Sequence, residues 1–411
     1  MLPRITRVVG GLAMTLVMVG TVPTHADQRV GPPTLDEATF LKRVAERSPR
    51  RAVFEDRRRA ARAAPAVASV LPNPTLSYER EAVPGLDAHD DFFRIGWTLD
   101  LGGRRGLGAD AARAGADAET LTVERDAQLL EIEARAAYLD AAYARLVVER
   151  LDGSRTALSA MVEALRSRSA QGDASSYDAD RAALELDALD DERATAQRMH
   201  ATVQLRLGAL MGEPAVAYEA SDSIGMPARP PQVAASPQRL EIAAARARAT
   251  QADRQIALAR RSWVPRLALT AGILASSSMG GDGIGYVVAI GGDLPVFDRG
   301  AAAAALGRAE AKRWRSEAQA LETEVSAEVA QAHRELVLRI EQATTYASGP
   351  ALRAADLQQR ASVAYREGDR PILELLDVHR TARHVAVRAL ELVYEARRAE
   401  LALRRAQGRN P

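Results

Sequence analysis

The sequence predicts a mainly α-helical chain with a small β part, and three observations predict it: an internal repeat, long proline-free helical stretches, and short segments of period-two alternation. In the repeat, Gln171-Gly172-Asp173 recurs as Glu367-Gly368-Asp369, an offset of 196 residues. The same offset relates Gly153 to Gly349, Asp178 to Glu374 and Gly212 to Gly408. Leu99-Asp100-Leu101-Gly102-Gly103-Arg104 answers Leu294-Pro295-Val296-Phe297-Asp298-Arg299 at an offset of 195. Two copies of one unit, helix, strand, loop, strand, long helix, turn and long helix, occupy residues 27–212 and 237–411.

Taken in chain order, residues 1–26 read as a signal peptide. Arg4 and Arg7 precede an apolar run from Val8 to Val22, and Thr24-His25-Ala26 offers small residues to a signal peptidase, so the mature chain starts near Asp27. The apolar run is short for a retained membrane anchor, which takes roughly 20 residues, and no later stretch approaches that length. A mature chain of this kind enters a membrane only as strands of a closed barrel, since lipid offers open backbone groups no partner.

Thr34-Leu35-Asp36-Glu37 reads as a capping box and Ser236-Pro237 as an N-cap with proline in the first turn, each opening a unit. Residues 213–236, with prolines at 214, 227, 230 and 231, read as the linker between units. Phe93, Ile95, Trp97, Leu99 and Leu101 alternate with Arg94, Gly96, Thr98 and Asp100, the pattern of a transmembrane strand. Its weaker companion is Thr75–Glu81. In the second unit Leu267, Leu269, Ala271 and Ile273 alternate with small or polar residues, as do Tyr286, Val288 and Ile290. Loops are expected at Ala82–Asp91 and Leu274–Gly285. A half-buried sheet of a soluble domain fits this strand pattern too. Four strands cannot close a barrel, which takes about eight or more, so other subunits must meet the edges.

From Arg105 to Ala170 there is no proline, and Leu129, Ile132, Ala136, Leu139, Tyr143 and Leu146 recur three and four apart, the coiled-coil spacing. Such a helix reaches on the order of 100 Å at about 1.5 Å per residue. Val325, Val329, Ala332, Leu336 and Ile340 repeat the spacing, and Gly153 and Gly349 are expected to interrupt the two helical paths.

Apolar residues make up 47% of the chain and aromatics only 4%, which suits long, closely packed helices better than a thick core. With 55 Lys and Arg against 54 Asp and Glu, no basic surface calls for nucleic acid. There is no cysteine, hence no disulfide, thiolate metal site, cysteine nucleophile or lipidated cysteine. The six histidines form no His-Glu-x-x-His set, and His379 and His384, five apart, do not share a helix face. No phosphate-binding loop is present. The sequence therefore points to no enzyme, no cofactor and no bound metal. Tyr78, Phe93, Trp97, Trp263 and Tyr286 are candidates for interfacial girdles.

These residues resemble the TolC-like outer membrane efflux proteins over essentially the whole mature chain. The resemblance rests on Leu-Pro-Asn-Pro-Thr-Leu at 71–76, Leu-Asp-Leu-Gly-Gly-Arg-Arg at 99–105, Leu-Pro-Val-Phe-Asp-Arg-Gly at 294–300 and Tyr-Arg-Glu-Gly-Asp-Arg at 365–370, in that order and spacing. It implies a homotrimer with a twelve-stranded barrel in the outer membrane of a Gram-negative bacterium and a long α-helical barrel in the periplasm. It also implies an exit duct working with a periplasmic adaptor and an inner-membrane proton-driven pump of the RND type. The elements at 73–76, 101–105 and 294–299 are most similar to the CzcC branch, which serves pumps for cobalt, zinc and cadmium cations; drug-exporting relatives are the alternative. The resemblance further implies a periplasmic gate beside the hairpin tips at Gly172 and Gly368, with Tyr365 and Arg370 holding Asp178, and Glu374 and Asp377 lining the pore. A periplasmic coiled-coil scaffold without a pore also fits the helices.

Overall fold

The computed structural model describes residues 31–82, 84–85, 88–231, 239–278 and 281–408; the signal peptide and the Ser236-Pro237 helix start lie outside them. Among the described residues no helix is long and apolar enough to cross a membrane.

The chain begins with strand β1 (Thr34–Leu35) and helices α1 (Glu37–Arg47) and α2 (Pro49–Ser69). The expected capping box takes a different form. Thr34 and Leu35 are strand, and Asp36 is the N-cap, its carboxylate accepting from the Thr39 amide at 3.2 Å. Strands β2 (Thr75–Ala82) and β3 (His89–Leu99) lead into α3 (Arg104–Ala170), a helix of 67 residues, and α4 (Ser176–Leu210) returns alongside it. Strand β4 (Glu219–Ala220) then pairs in parallel with β1, a contact two residues long that leaves no sequence pattern.

The second half runs through α5 (Leu240–Ala259), β5 (Arg266–Ser278) and β6 (Gly281–Asp293) to α6 (Ala301–Tyr346). A π-helical turn at Ala347–Ala351 joins α6 to α7 (Leu352–Arg366), and α8 (Ile372–Gln407) returns. The interruption expected at both glycines therefore occurs at one. Gly153 lies inside the unbroken α3, whereas Gly349 is followed by Pro350, whose missing N–H and bulky ring upset the α-helical ladder.

Two further expectations change. Ser276–Ser278 and Gly281–Gly283 belong to strands, although a loop is expected there. Their backbones pair regardless of their polar or absent side chains. Along α3 the deepest seam is Leu130, Ala134, Ala137, Ala141 and Ala144, one step from the expected stripe, whose members are half-buried. Alanine lets helices approach closely, so the tightest contact falls on the small residues. In α6 the expected Val325, Val329 and Leu336 are buried.

Tyr138 fastens the amino-terminal strand to α3. Its hydroxyl, in a 3% exposed side chain, lies 2.8 Å from the Leu35 carbonyl and 2.9 Å from the Asp222 carboxylate. Asp222 also accepts from the Glu37 amide at 2.8 Å. Burial, the largest influence, pushes the Tyr138 pKa up to about 12 from an ordinary 10.0. The folded state holds this proton more tightly, so its contribution to stability is intact below pH 10 and is lost as pH rises toward 12. Tyr138→Phe is expected to cost about 2 kcal/mol in denaturant unfolding at neutral pH and to remove one late-ionising phenol from an alkaline absorbance titration.

Candidate functional site: a four-stranded sheet and two hairpin tips

β2, β3, β5 and β6 form one antiparallel sheet in chain order, with β2 and β6 at its edges. The register sorts side chains by face. Tyr78, Phe93, Ile273 and Tyr286 form one row across all four strands, and Leu76, Ile95, Ala271 and Val288 form the next. Trp97, Leu269 and Ile290 continue the same face toward the helices. These large side chains are exposed, from 44% for Leu269 to 86% for Tyr286. A soluble sheet hides such a face against a core; here, among the described residues, no helix covers it.

The opposite face carries Ser77, Glu79, Arg94, Gly96, Thr270 and Gly272. Arg94 pairs with Glu79 and lies 4.2 Å from the Phe92 ring centroid. The apolar face is bounded away from the helices by Asp91, which accepts from Arg80 at 2.6 Å and from the Tyr78 hydroxyl at 2.8 Å. Tyr78, Phe93 and Tyr286 thus lie near one end of the band, and Trp97 and the 59% exposed Trp263 near the other, as interfacial aromatics do.

At the far ends of the long helices the two tips are the same turn. Gly172 and Gly368 adopt φ of +83° and +82°. Asp173 donates its amide to Arg168 and Asp369 to Ala364, each at 2.9 Å. Gly172 and Gly368 donate to Ser169 and Tyr365 at 3.0 and 3.1 Å. These are the paired bonds of a Schellman motif, and the left-handed residue makes glycine the fitting choice.

Ser175 and Pro371 are the N-caps of the next helices, which makes Asp178 and Glu374 the third helical residue of each. An acid there complements the helix dipole, so helix initiation by itself accounts for this matched pair. Within one chain Arg370 turns to Glu374 at 3.2 Å. Tyr365 packs against the tip core of Leu158, Val162, Leu165, Ile372, Leu375 and Leu376. Among the described residues neither Tyr365 nor Arg370 bonds to Asp178. Asp377 is exposed.

Sequence reasoning missed a charged layer just behind the tips. Glu185 of α4 receives both Arg380, at 2.8 and 3.1 Å, and Arg383, at 3.7 Å; Arg383 also reaches Glu192 at 3.2 Å. Arg383 is 8% and Glu185 11% exposed. The signal was present: Glu185 and Glu192 stand seven apart and Arg380 and Arg383 three apart, each pair on one helix face. Glu185→Ala leaves Arg380 without its partner and the buried Arg383 with Glu192 alone, and is expected to destabilise the α4–α8 contact by about 3 kcal/mol, read as a lowered thermal midpoint. His379 nearby accepts at Nδ1 from the Gln358 amide nitrogen at 3.0 Å, and burial lowers its pKa. Among the described residues no group of three or more His, Cys, Asp or Glu side chains could hold a metal ion.

Residues 233–409 match the family model described as outer membrane efflux protein. The fold as a whole is that of solved outer-membrane channels. CusC aligns with a TM-score of 0.76 at 18% identity, covering 91% of this chain and 93% of its own. The Campylobacter jejuni CmeC outer membrane channel aligns at 0.75 and 14% identity, with 90% and 85% covered. The open-state Neisseria gonorrhoeae MtrE outer membrane channel aligns at 0.70 and 16%, with 90% and 88% covered. No curated protein matches the sequence.

Proposed function

We propose that the chain is one subunit of a passive exit duct through a bacterial outer membrane, the last segment of a tripartite efflux system. The observation that carries this reading is a sheet with one face apolar and exposed, the other polar, and both edges open, continuous with helices of 67 and 46 residues. Lipid tolerates such a sheet only when its edges are closed. Three copies give twelve strands around a polar bore, and the helical hairpins extend the wall into the periplasm. An adaptor and an inner-membrane RND pump supply solute and energy.

The two units span residues 27–212 and 237–411, joined by a linker at 213–236, and the mature chain follows a signal peptide of 26 residues. At the tips, Tyr365 and Arg370 of one hairpin hold Asp178 of a neighbouring one, and Asp377 with Glu374 lines the constriction. The Arg370–Glu374 bond does not compete with this. An exposed pair four residues apart on a helix is worth about 0.3–0.5 kcal/mol, so Arg370 is free to change partner on assembly.

The solute is a divalent metal cation, as the motifs at 73–76, 101–105 and 294–299 support; an organic drug is the second reading. A deletion strain challenged with cobalt, zinc and cadmium salts beside a drug panel tests this. Sensitisation to the metals alone is expected, and sensitisation to the drugs alone would overturn it. A pore-less periplasmic scaffold predicts that the folded protein is recovered soluble and monomeric.

A further inference from the structure

We infer that the collar where the four-stranded sheet passes into the helices binds the phosphate headgroups of anionic phospholipid, through Arg260, Arg261 and Arg299 around Trp263 and Phe297. This rests on the duct reading above, which sets the collar at the periplasmic leaflet of the outer membrane, and adds the lipid chemistry that reading leaves open.

Close contacts fasten three segments together at the collar. Arg104, at the start of α3, donates to the Arg261 carbonyl at 2.9 and 3.1 Å and also to the Val264 carbonyl. Gly102 lies against Val264, whose Cβ stands 3.4 Å from where a Cβ on Gly102 would be. Gly300 approaches so near that an added Cβ would collide with the Ala259 carbonyl and lie 3.0 Å from the Ser262 Cβ. The turn at Arg260–Trp263 and the loop at 294–299 therefore stand side by side at the foot of the sheet. That turn leads into β5, an inner strand, so a copy joined at the β2 or β6 edge meets the chain elsewhere.

Charge and exposure both single out this collar. The segments 100–105, 260–266 and 293–300 hold six arginines and three aspartates, in a chain with 55 Lys and Arg against 54 Asp and Glu. Each aspartate is engaged locally. Asp100 accepts from the Arg104 and Arg105 amides at 3.1 and 2.9 Å and lies 3.6 Å from the Arg105 guanidinium. Asp298 accepts from the Gly300 amide at 2.8 Å, and Asp293 stands opposite Arg266 in the sheet. Arg260, Arg261 and Arg299 are exposed and, among the described residues, have no acidic partner. Beside them Trp263 is 59% exposed and Phe297 wholly so, and Leu294 and Val296 extend the apolar surface of the sheet.

The far end of the sheet has the opposite sign, with Glu81, Asp90, Asp91 and Asp282 against Arg80 and His89 among the described residues. Exposed rings beside unpaired guanidiniums fit the boundary between hydrocarbon and water. There rings lie at headgroup depth, and the arginine fork bonds phosphate oxygens. Free phosphate would satisfy the guanidiniums and leave the rings in water, so the ligand is a lipid.

The test uses the chain's three tryptophans. Full-length protein carrying Trp97→Phe and Trp314→Phe keeps only Trp263. Its heat-modifiable trimer is placed in phosphatidylcholine bilayers containing a small fraction of brominated phosphatidylglycerol or brominated phosphatidylcholine. Quenching by bromine reads which lipid sits beside Trp263. Phosphatidylglycerol is expected to be favoured about fivefold or more at low salt, and the preference to fade in about 1 M salt, where the Debye length falls to about 3 Å. Arg260→Gln with Arg261→Gln and Arg299→Gln is expected to abolish it. Arg353→Gln with Arg360→Gln and Arg366→Gln on α7, equal in charge change, is expected to leave it intact. Native mass spectrometry of the unsubstituted trimer repeats the comparison, with phosphatidylglycerol adducts expected to outlast phosphatidylcholine ones. Equal quenching by the two lipids, no quenching by either, or the same loss in the α7 variant overturns the lipid site, and step-like bilayer current from the same trimer leaves the duct standing. A folded protein that stays monomeric, inserts into neither bilayer and gives no current overturns the duct and the lipid site together.

Discussion

Replacing Tyr365 and Arg370 together, as Tyr365→Phe with Arg370→Ser, is expected to raise single-channel conductance several-fold. In the proposed trimer the constriction lies where the hairpin tips of all copies converge. In the proposed gate, closure rests on a hydroxyl and a guanidinium reaching the Asp178 carboxylate of a neighbouring hairpin, the charge-assisted bonding that is strongest per contact. Three copies multiply the loss. Phenylalanine keeps the ring of Tyr365 in the tip core, so the hairpin itself stays folded. Circular dichroism unchanged with conductance raised is the expected pair of readings. Unchanged conductance would assign Asp178 to helix initiation alone, the role its position already explains.

The second large effect separates neighbouring residues of one strand. Val288 is 66% exposed on the apolar face, and Ala289 points to the other face opposite Thr270. Val288→Arg sets a guanidinium against lipid, at about 2–4 kcal/mol per site near the bilayer midplane, and three copies incur it three times. Loss of the assembled, heat-modifiable form from outer-membrane fractions is expected. Ala289→Arg meets water in the bore and is expected to assemble normally while altering ion selectivity. Equal tolerance of the two would mean that the sheet does not face lipid.

What the sequence made legible follows from where backbone geometry restricts residue choice. The repeat stood out because both tips need a left-handed residue at the same step, so Gly172 and Gly368 survive as markers, as do Gly212 and Gly408, with φ of +84° and +59°. Strand cores were legible through Phe93, Ile95 and Trp97, because the two faces of the sheet, one apolar and one polar, impose opposite demands on alternate residues. Strand ends were not, because Ser276–Ser278 and Gly281–Gly283 carry no apolar alternation and are held by backbone pairing and by the Ser277 hydroxyl donating to Asp282. Gly153 and Gly349 look alike by spacing, and only Pro350 distinguishes the helix that continues from the one that loosens into a π turn.

The tips were legible as tips, but the gate proposed for Tyr365, Arg370 and Asp178 rests on resemblance alone. Asp178 and Glu374 share an offset that helix capping produces without any gate, and the bonds of a gate cross between hairpins. The Glu185 layer was within reach of a heptad reading that admitted charged residues to the seam.

The central claim, a conducting duct, is tested most directly by adding the purified full-length protein to a planar lipid bilayer and recording current under applied voltage. Discrete, step-like, cation-preferring currents are predicted. A folded protein that leaves the bilayer silent would contradict the account.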